Sequence, residues 1–179
     1  MFLDDAIPAN ASTNLANLKK MMTEYDMVSA EQLEVWIKTK TTFVDKLLGF
    51  IHLKQASYPD YENALTLCGR LTCCEGEAVK ILIDKGLMDY LADTLKLSES
   101  ECPSLIRKAL WALSNISSDS HENIESFVKS EAYDLCKPLA AHSSDILIRL
   151  NAMHIILNII QFGPDQIVLD MERGNPIIL

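Results

Sequence analysis

One helical pattern occurs three times in this chain, at offsets of 45 and 43 residues, and that repetition constrains the fold more than any single motif. The middle copy runs from Ile106 to Ser117 and reads IRKALWALSNIS. At about 100° per residue, Ile106, Ala109, Leu110, Leu113, Ile116 and Ser117 fall on one side, the i, i+3, i+4, i+7 stripe of an amphipathic helix. Ala109, Leu110, Leu113 and Ile116 correspond to Ala64, Leu65, Cys68 and Leu71 in the copy before, and to Ala152, Met153, Ile156 and Ile159 in the copy after. A shorter helix keeps the same two offsets: Val79, Leu82 and Ile83 match Ile124, Phe127 and Val128, then Ile167, Asp170 and Met171. Gly86 closes the first short copy and Gly174 the last, in the same register. A middle helix follows each short one, at Leu87 to Leu95, at Tyr133 to Ala140 with Pro138 expected to start or kink it, and beginning again at Asn175. Turn signals separate the helices at Ser98 to Pro103, Asp119 with Glu122, Ser143 to Asp145, and Gly163 with Pro164.

A unit of this length with three helices is an α-solenoid, in which no unit buries its stripe alone and each stacks on its neighbours. The expected organisation is an N-terminal loop and capping helix over 1–28, a degenerate unit over 29–75, full units over 76–118 and 119–162, and an incomplete unit over 163–179. Within the first stretch Leu15, Leu18, Met22 and Tyr25 keep a helical period. Ser29 with Gln32 forms a capping box for a helix carrying Leu33, Val35, Trp36 and Ile37, with Trp36 in the core. At the other end the apolar faces of Ile156, Ile160 and Met171 lack the polar cap a solenoid end requires, so self-association or a partner is expected there.

Stacked third helices present their outward residues as rungs. Trp111 and Asn115 lie one turn apart, away from the core stripe and flanked by Arg107 and Lys108. The rung before carries Thr66 and Arg70, and the rung after carries His154 and Asn158. Asn115 offers a donor and an acceptor, the equipment for holding another chain's backbone, at some cost in helix propensity. The competing explanation is structural: a neighbouring helix covers Trp111, while Arg70, His154 and Asn158 are a solvated face.

Composition narrows the function. The 25 Asp and Glu against 16 Lys and Arg, net charge −9, argue against a phosphate-backbone binder and tilt any electrostatic partner toward basic segments. The five cysteines, Cys68, Cys73, Cys74, Cys102 and Cys136, are odd in number and lack paired CxxC spacing, as expected of reduced intracellular thiols. Neither a signal peptide nor a membrane span is apparent, so the NxS sequences at Asn10 and Asn115 are accidental. His52, His121, His142 and His154 stand at no metal-binding spacing, and no glycine-rich phosphate loop, GxSxG or HExxH occurs. No enzyme activity, metal or cofactor is expected.

The segment KALWALSNISSDSHENIESFV resembles an armadillo repeat, and specifically the importin-α family of nuclear import adaptors, in which ALWALSNI is a recurrent third-helix motif. The resemblance covers roughly Ser29 to the C-terminus and is sharpest from Ile106 to Gly163. It implies an all-α fold, an armadillo-type α-solenoid forming a right-handed superhelix of three-helix repeats. It also implies a concave groove for an extended basic peptide, with Asn side chains on the peptide backbone and Trp rings around its lysine stems. Trp111 and Asn115 match that motif in full and Asn158 in part, with His154 and Arg70 on the flanking rungs. The chain departs from the family at Thr66, Arg70 and His154. It departs again at Lys108, where an acidic residue is usual and where the ammonium would repel a cargo lysine. The family's basic N-terminal arm has no counterpart, since only Lys19 and Lys20 precede Ser29. The resemblance implies a protein-interaction module of the cytoplasm or nucleus that recognises localisation signals. The alternative is an armadillo subunit of a larger assembly with a vestigial groove.

Overall fold

The computed structural model describes residues 30–39, 44–45, 47–48 and 58–173. The helix expected over Leu15 to Tyr25, the Ser29 cap, the Trp36 side chain, Gly174 and the helix beginning at Asn175 lie outside the described residues. Among the described residues the chain is built from helices α1 (Ala30–Thr39), α2 (Tyr58–Leu71), α3 (Glu77–Asp84), α4 (Leu87–Leu95), α5 (Pro103–Ile116), α6 (His121–Val128), α7 (Glu131–His142), α8 (Ile146–Phe162) and α9 (Asp165–Arg173). The sets α3–α4–α5 and α6–α7–α8 repeat one short, middle and long order. The long helices α2, α5 and α8 stack in succession, and the middle helices α4 and α7 pack beside them.

Local chemistry sets the boundaries. Pro103 opens α5, where its missing N–H costs nothing because the first turn has no intrahelical acceptor for it. Asp145 caps α8 by accepting from the backbone N–H groups of Leu147 and Ile148, and Gly163 ends that helix. Gly86, with φ 88°, takes the left-handed turn between α3 and α4. The cap of α6 is Ser120, which accepts from the Asn123 N–H, and not Asp119 as the spacing to Glu122 suggests. Pro138 does not start α7 but lies within it, on the exposed side.

The stripe defined by the repeat is the core. Ile106, Ala109, Leu110, Leu113, Ile116 and Ser117 are fully buried, as are Ala64, Leu65, Ala152 and Ile159, with Cys68, Leu71 and Ile156 nearly so. Burial pushes the Cys68 thiol up to about 12, so it behaves as a small apolar side chain. Met153 departs from the expectation and is only partly buried. α9 likewise buries none of its residues, whereas Val79, Leu82, Ile124 and Phe127 at equivalent places in α3 and α6 are closed off. The difference has a plain cause. α3 is covered by α1, by its own middle helix α4 and by α6, and α6 by α3, α5 and its own middle helix α7, whereas α9 has no comparable cover among the described residues.

Candidate functional site: the rung face of the long helices

Neighbouring long helices approach closely at Gly69. A Cβ placed there would stand 2.3 Å from Cε3 and 2.4 Å from Cζ3 of Trp111, so the indole lies directly on the backbone of α2. One side of the ring is thus packed against the preceding helix, yet Trp111 remains 38% exposed. Both explanations of this residue hold in part: α2 covers one surface, and the rest of the ring faces outward.

The asparagines form a regular tie between rungs. Asn115 Nδ2 donates to the Gly69 carbonyl at 2.9 Å and to Thr72 Oγ1 at 3.1 Å, with Cys73 Sγ at 3.4 Å. Asn158 Nδ2 donates to the Ser114 carbonyl and to Ser117 Oγ, both at 3.1 Å, and to Ser114 Oγ at 3.3 Å. Gly69 and Ser114, and likewise Thr72 and Ser117, are equivalent positions, so one contact is made twice. It closes the C-terminal ends of α2 and α5, where carbonyls lack intrahelical partners. Asn158 is only 6% exposed, and Asn115 is half-buried. Both amide donors are spent inside the protein, while neither Oδ1 has a partner among the described residues. Asn115 therefore reaches the surface as an acceptor.

The remaining rung residues are less alike. His154 is exposed and shares a hydrogen bond of 3.2 Å between its Nδ1 and Ser114 Oγ. Arg70 is half-buried, and its charge acts on Cys73. Lys108 turns back onto α2, donating to Thr66 Oγ1 at 2.7 Å with Glu62 at 3.9 Å. Its charge is partly offset there rather than aimed squarely at an incoming lysine.

Beside Asn115, between the C-terminal ends of α2 and α5, opens a cleft of about 640 Å³. Thr72, Cys73, Cys74, Glu75, Gly76, Asn115, Ser118, Asp119 and Ser120 line it. The C-termini of α2 and α5 and the N-termini of α3 and α6, capped at Gly76 and Ser120, all border this space, so their partial charges offset one another. The carboxylates of Glu75 and Asp119 are what favour a cation there. Asp119 is held in place by Gly76, whose N–H donates to Oδ1 at 2.9 Å from a backbone with φ 58°. The Asn123 amide donates to Asp119 Oδ2 and, at 2.9 Å, to the Gly76 carbonyl. Cys73 adds no nucleophile. Desolvation raises its pKa, against smaller lowering effects from the Asn115 hydrogen bond and Arg70, so the thiol stays protonated at neutral pH.

Gly69, Thr72, Glu75 and Gly76 are among the residues of this site that the sequence pattern does not single out, and it marks Asp119 only as a turn signal. The signal for Asp119 was present: it lies 43 residues from Gly76, one repeat away, as tied residues in this fold do. Among the described residues no group of His, Cys, Asp or Glu could hold a metal ion, and no helix is long and apolar enough to cross a membrane.

No protein-family profile matches the sequence, and no curated protein matches it. Solved structures do resemble the fold. A designed armadillo repeat protein in complex with the peptide (KR)4 superposes with a TM-score of 0.78 at 20% identity, over 96% of this chain and 68% of that one. A computationally designed armadillo repeat protein for modular peptide recognition gives 0.72 at 22% identity, over 92% and 66%. An engineered protein gives 0.74 at 19% identity, covering 93% of this chain. The chain spans 64% of that engineered protein's length. The fold of this protein is an all-α, armadillo-type solenoid.

Proposed function

We propose that this protein is a peptide-binding module of the cytoplasm or nucleus that holds an extended, cationic segment across the rungs of α2, α5 and α8, in the manner of an import adaptor's recognition of localisation signals. The observation that carries this reading is the acidic cleft beside Trp111 and Asn115. Asn115 stands about one turn after a partly open indole and at the edge of the cleft that holds two carboxylates. Cationic side chains of the peptide would place one stem along the ring and another charge in the cleft, while the peptide's N–H donates to Asn115 Oδ1. The chain's net charge of −9 favours the same class of ligand. The designed relative of this fold bound to (KR)4 gives the reading a precedent.

A second reading, a fixed armadillo subunit whose groove takes no peptide, draws support from Asn158, whose donors are fully committed inside the protein. Calorimetric titration of (KR)4 separates the two. Binding that weakens with added salt is expected. Trp111→Ala should cost roughly 0.5 to 2 kcal/mol of affinity through lost cation–π contact. Glu75→Gln, at an exposed position, should weaken binding about twofold to fivefold. Absence of heat with the wild type, or affinity indifferent to both substitutions, leaves the fixed-subunit reading standing.

A further inference from the structure

The repeat register places Thr66 on α2 where Trp111 stands on α5 and His154 on α8, so the first rung carries a hydroxyl in place of a ring. That hydroxyl is already oriented. Thr66 Oγ1 donates its hydrogen to the Glu62 carbonyl at 2.9 Å, one turn back, which leaves its lone pairs free to accept. The Glu62 carboxylate lies on the same side of α2, where its Oε1 accepts from the Ser104 hydroxyl of α5. Both oxygens meet one cation. Lys108 Nζ donates to Thr66 Oγ1 at 2.7 Å and lies 3.9 Å from Glu62 Oε1. The contact is open to water, since the Lys108 and Glu62 side chains keep 28% and 33% of their surface exposed.

We propose that Glu62 and Thr66 form a second cation subsite on the peptide path, and that Lys108 occupies it as a tethered stand-in for a ligand's lysine. The proposal rests on the peptide-binding reading above and names what limits binding there. A carboxylate and a hydroxyl with free lone pairs are the acceptors an ammonium needs, and they belong to α2, while the ammonium that fills them is sent across from α5. Trp111 stands three residues after Lys108 on the same side of α5, so a peptide held on the ring brings its next cation to this subsite at high effective concentration. Entry then exchanges one ammonium for another. The contact gains little, and the released Lys108 adds a like charge beside the peptide. In the native chain the rung of α2 is therefore self-occupied, and removing the Lys108 charge opens it. Arg70, one turn beyond Thr66, stays in place in every variant below and cancels in the comparison.

Calorimetric titration of (KR)4 at low salt into the full chain, Lys108→Met, Glu62→Gln and the double variant tests the proposal. Methionine keeps an apolar stem on α5 and removes the charge with its donors. Lys108→Met should tighten binding about fivefold or more when Glu62 is present, and about twofold or less in the Glu62→Gln background, where only relief of like-charge repulsion remains. Glu62→Gln should accordingly weaken binding far more in the Lys108→Met chain than in the wild type. Circular dichroism melts check that all four chains are folded, and Lys108→Ala repeats the cycle should methionine disturb the packing. An equal gain in both backgrounds overturns the proposal, because Lys108 then acts through its charge alone, and the groove reading stands. No gain in either background overturns it as well. Absence of binding by all four chains brings down the peptide-binding reading and the subsite with it.

Discussion

Gly69→Ala places a methyl group where the Trp111 ring already sits. The new Cβ would lie 2.3, 2.4 and 2.9 Å from Cε3, Cζ3 and Cδ2 of the indole. Since carbon atoms rest at about 3.5 to 4.0 Å, the ring has to retreat by more than about 1 Å. A retreat of that size forfeits a quarter to a half of the contact energy with α2, and overpacking of this kind costs about 1 to 3 kcal/mol. Against this stands helix propensity, since alanine inside α2 gains about 0.8 to 1.0 kcal/mol over glycine. The net effect in the wild type is a loss of up to about 2 kcal/mol. In a Trp111→Ala background the clash is gone and the propensity gain remains, so the same substitution should stabilise by about 0.8 to 1.0 kcal/mol. Urea unfolding of all four proteins of the cycle, followed by far-ultraviolet circular dichroism, should give a coupling energy of about 1 to 3 kcal/mol at constant m-value. If Gly69→Ala stabilises both backgrounds equally, the indole does not rest on α2 and the account of this rung is wrong.

Leu113→Ala empties a fully buried position of α5 and should cost about 2 to 5 kcal/mol, and an unchanged thermal midpoint would show the stripe to be misassigned. Acid sensitivity should run through Asp145, whose carboxyl is held below its ordinary 3.8 by the Arg107 hydrogen bond first and by the Ile148 and Leu147 N–H groups after it. A depressed folded-state value means that this contribution is present above 3.8 and is lost as pH falls through the lower folded value. Asp145→Asn keeps a good cap without the charge, so its melting temperature should fall less steeply on acidification, and matching acid slopes would refute the assignment.

The core was legible because burial in a helix follows a period that a repeat displays three times over. Met153 escaped that logic, being only partly buried where its equivalents Leu65 and Leu110 are fully closed off. The caps were legible to within a residue: Asp119 and Ser120 are both good N-caps, and the choice fell to Ser120 because Asp119 was drawn away to the Gly76 N–H in the preceding unit. Pro138 reads as a breaker because it lacks an N–H, yet its ring sits on the exposed side of α7, where water can satisfy the carbonyl it leaves unpaired. Gly69 was invisible for a different reason. Nothing in α2 itself marks the residue, and its importance arises only when the ring of Trp111, a full unit later, is laid upon it. Asn115 was visible as an outward amide, but which of its groups faces outward depends on the Gly69 carbonyl across the interface.

That last point bears on how the proposed groove would choose its ligand. With Nδ2 of Asn115 and Asn158 spent on the preceding helix, the rungs can offer an extended peptide acceptors but no amide donors. An acceptor recovers roughly 0.5 to 1.5 kcal/mol by taking one peptide N–H, and Asn158 is too buried to contribute in full. Backbone recognition would therefore supply only about 1 to 2 kcal/mol in all, far short of the roughly 8 kcal/mol that micromolar affinity requires. The remainder would have to come from side chains, from stems laid on Trp111 and from cations drawn to Glu75 and Asp119. A groove of that kind discriminates by charge and spacing along the peptide, with a steep dependence on ionic strength. It is indifferent to peptide direction to the extent that the backbone contacts are weak.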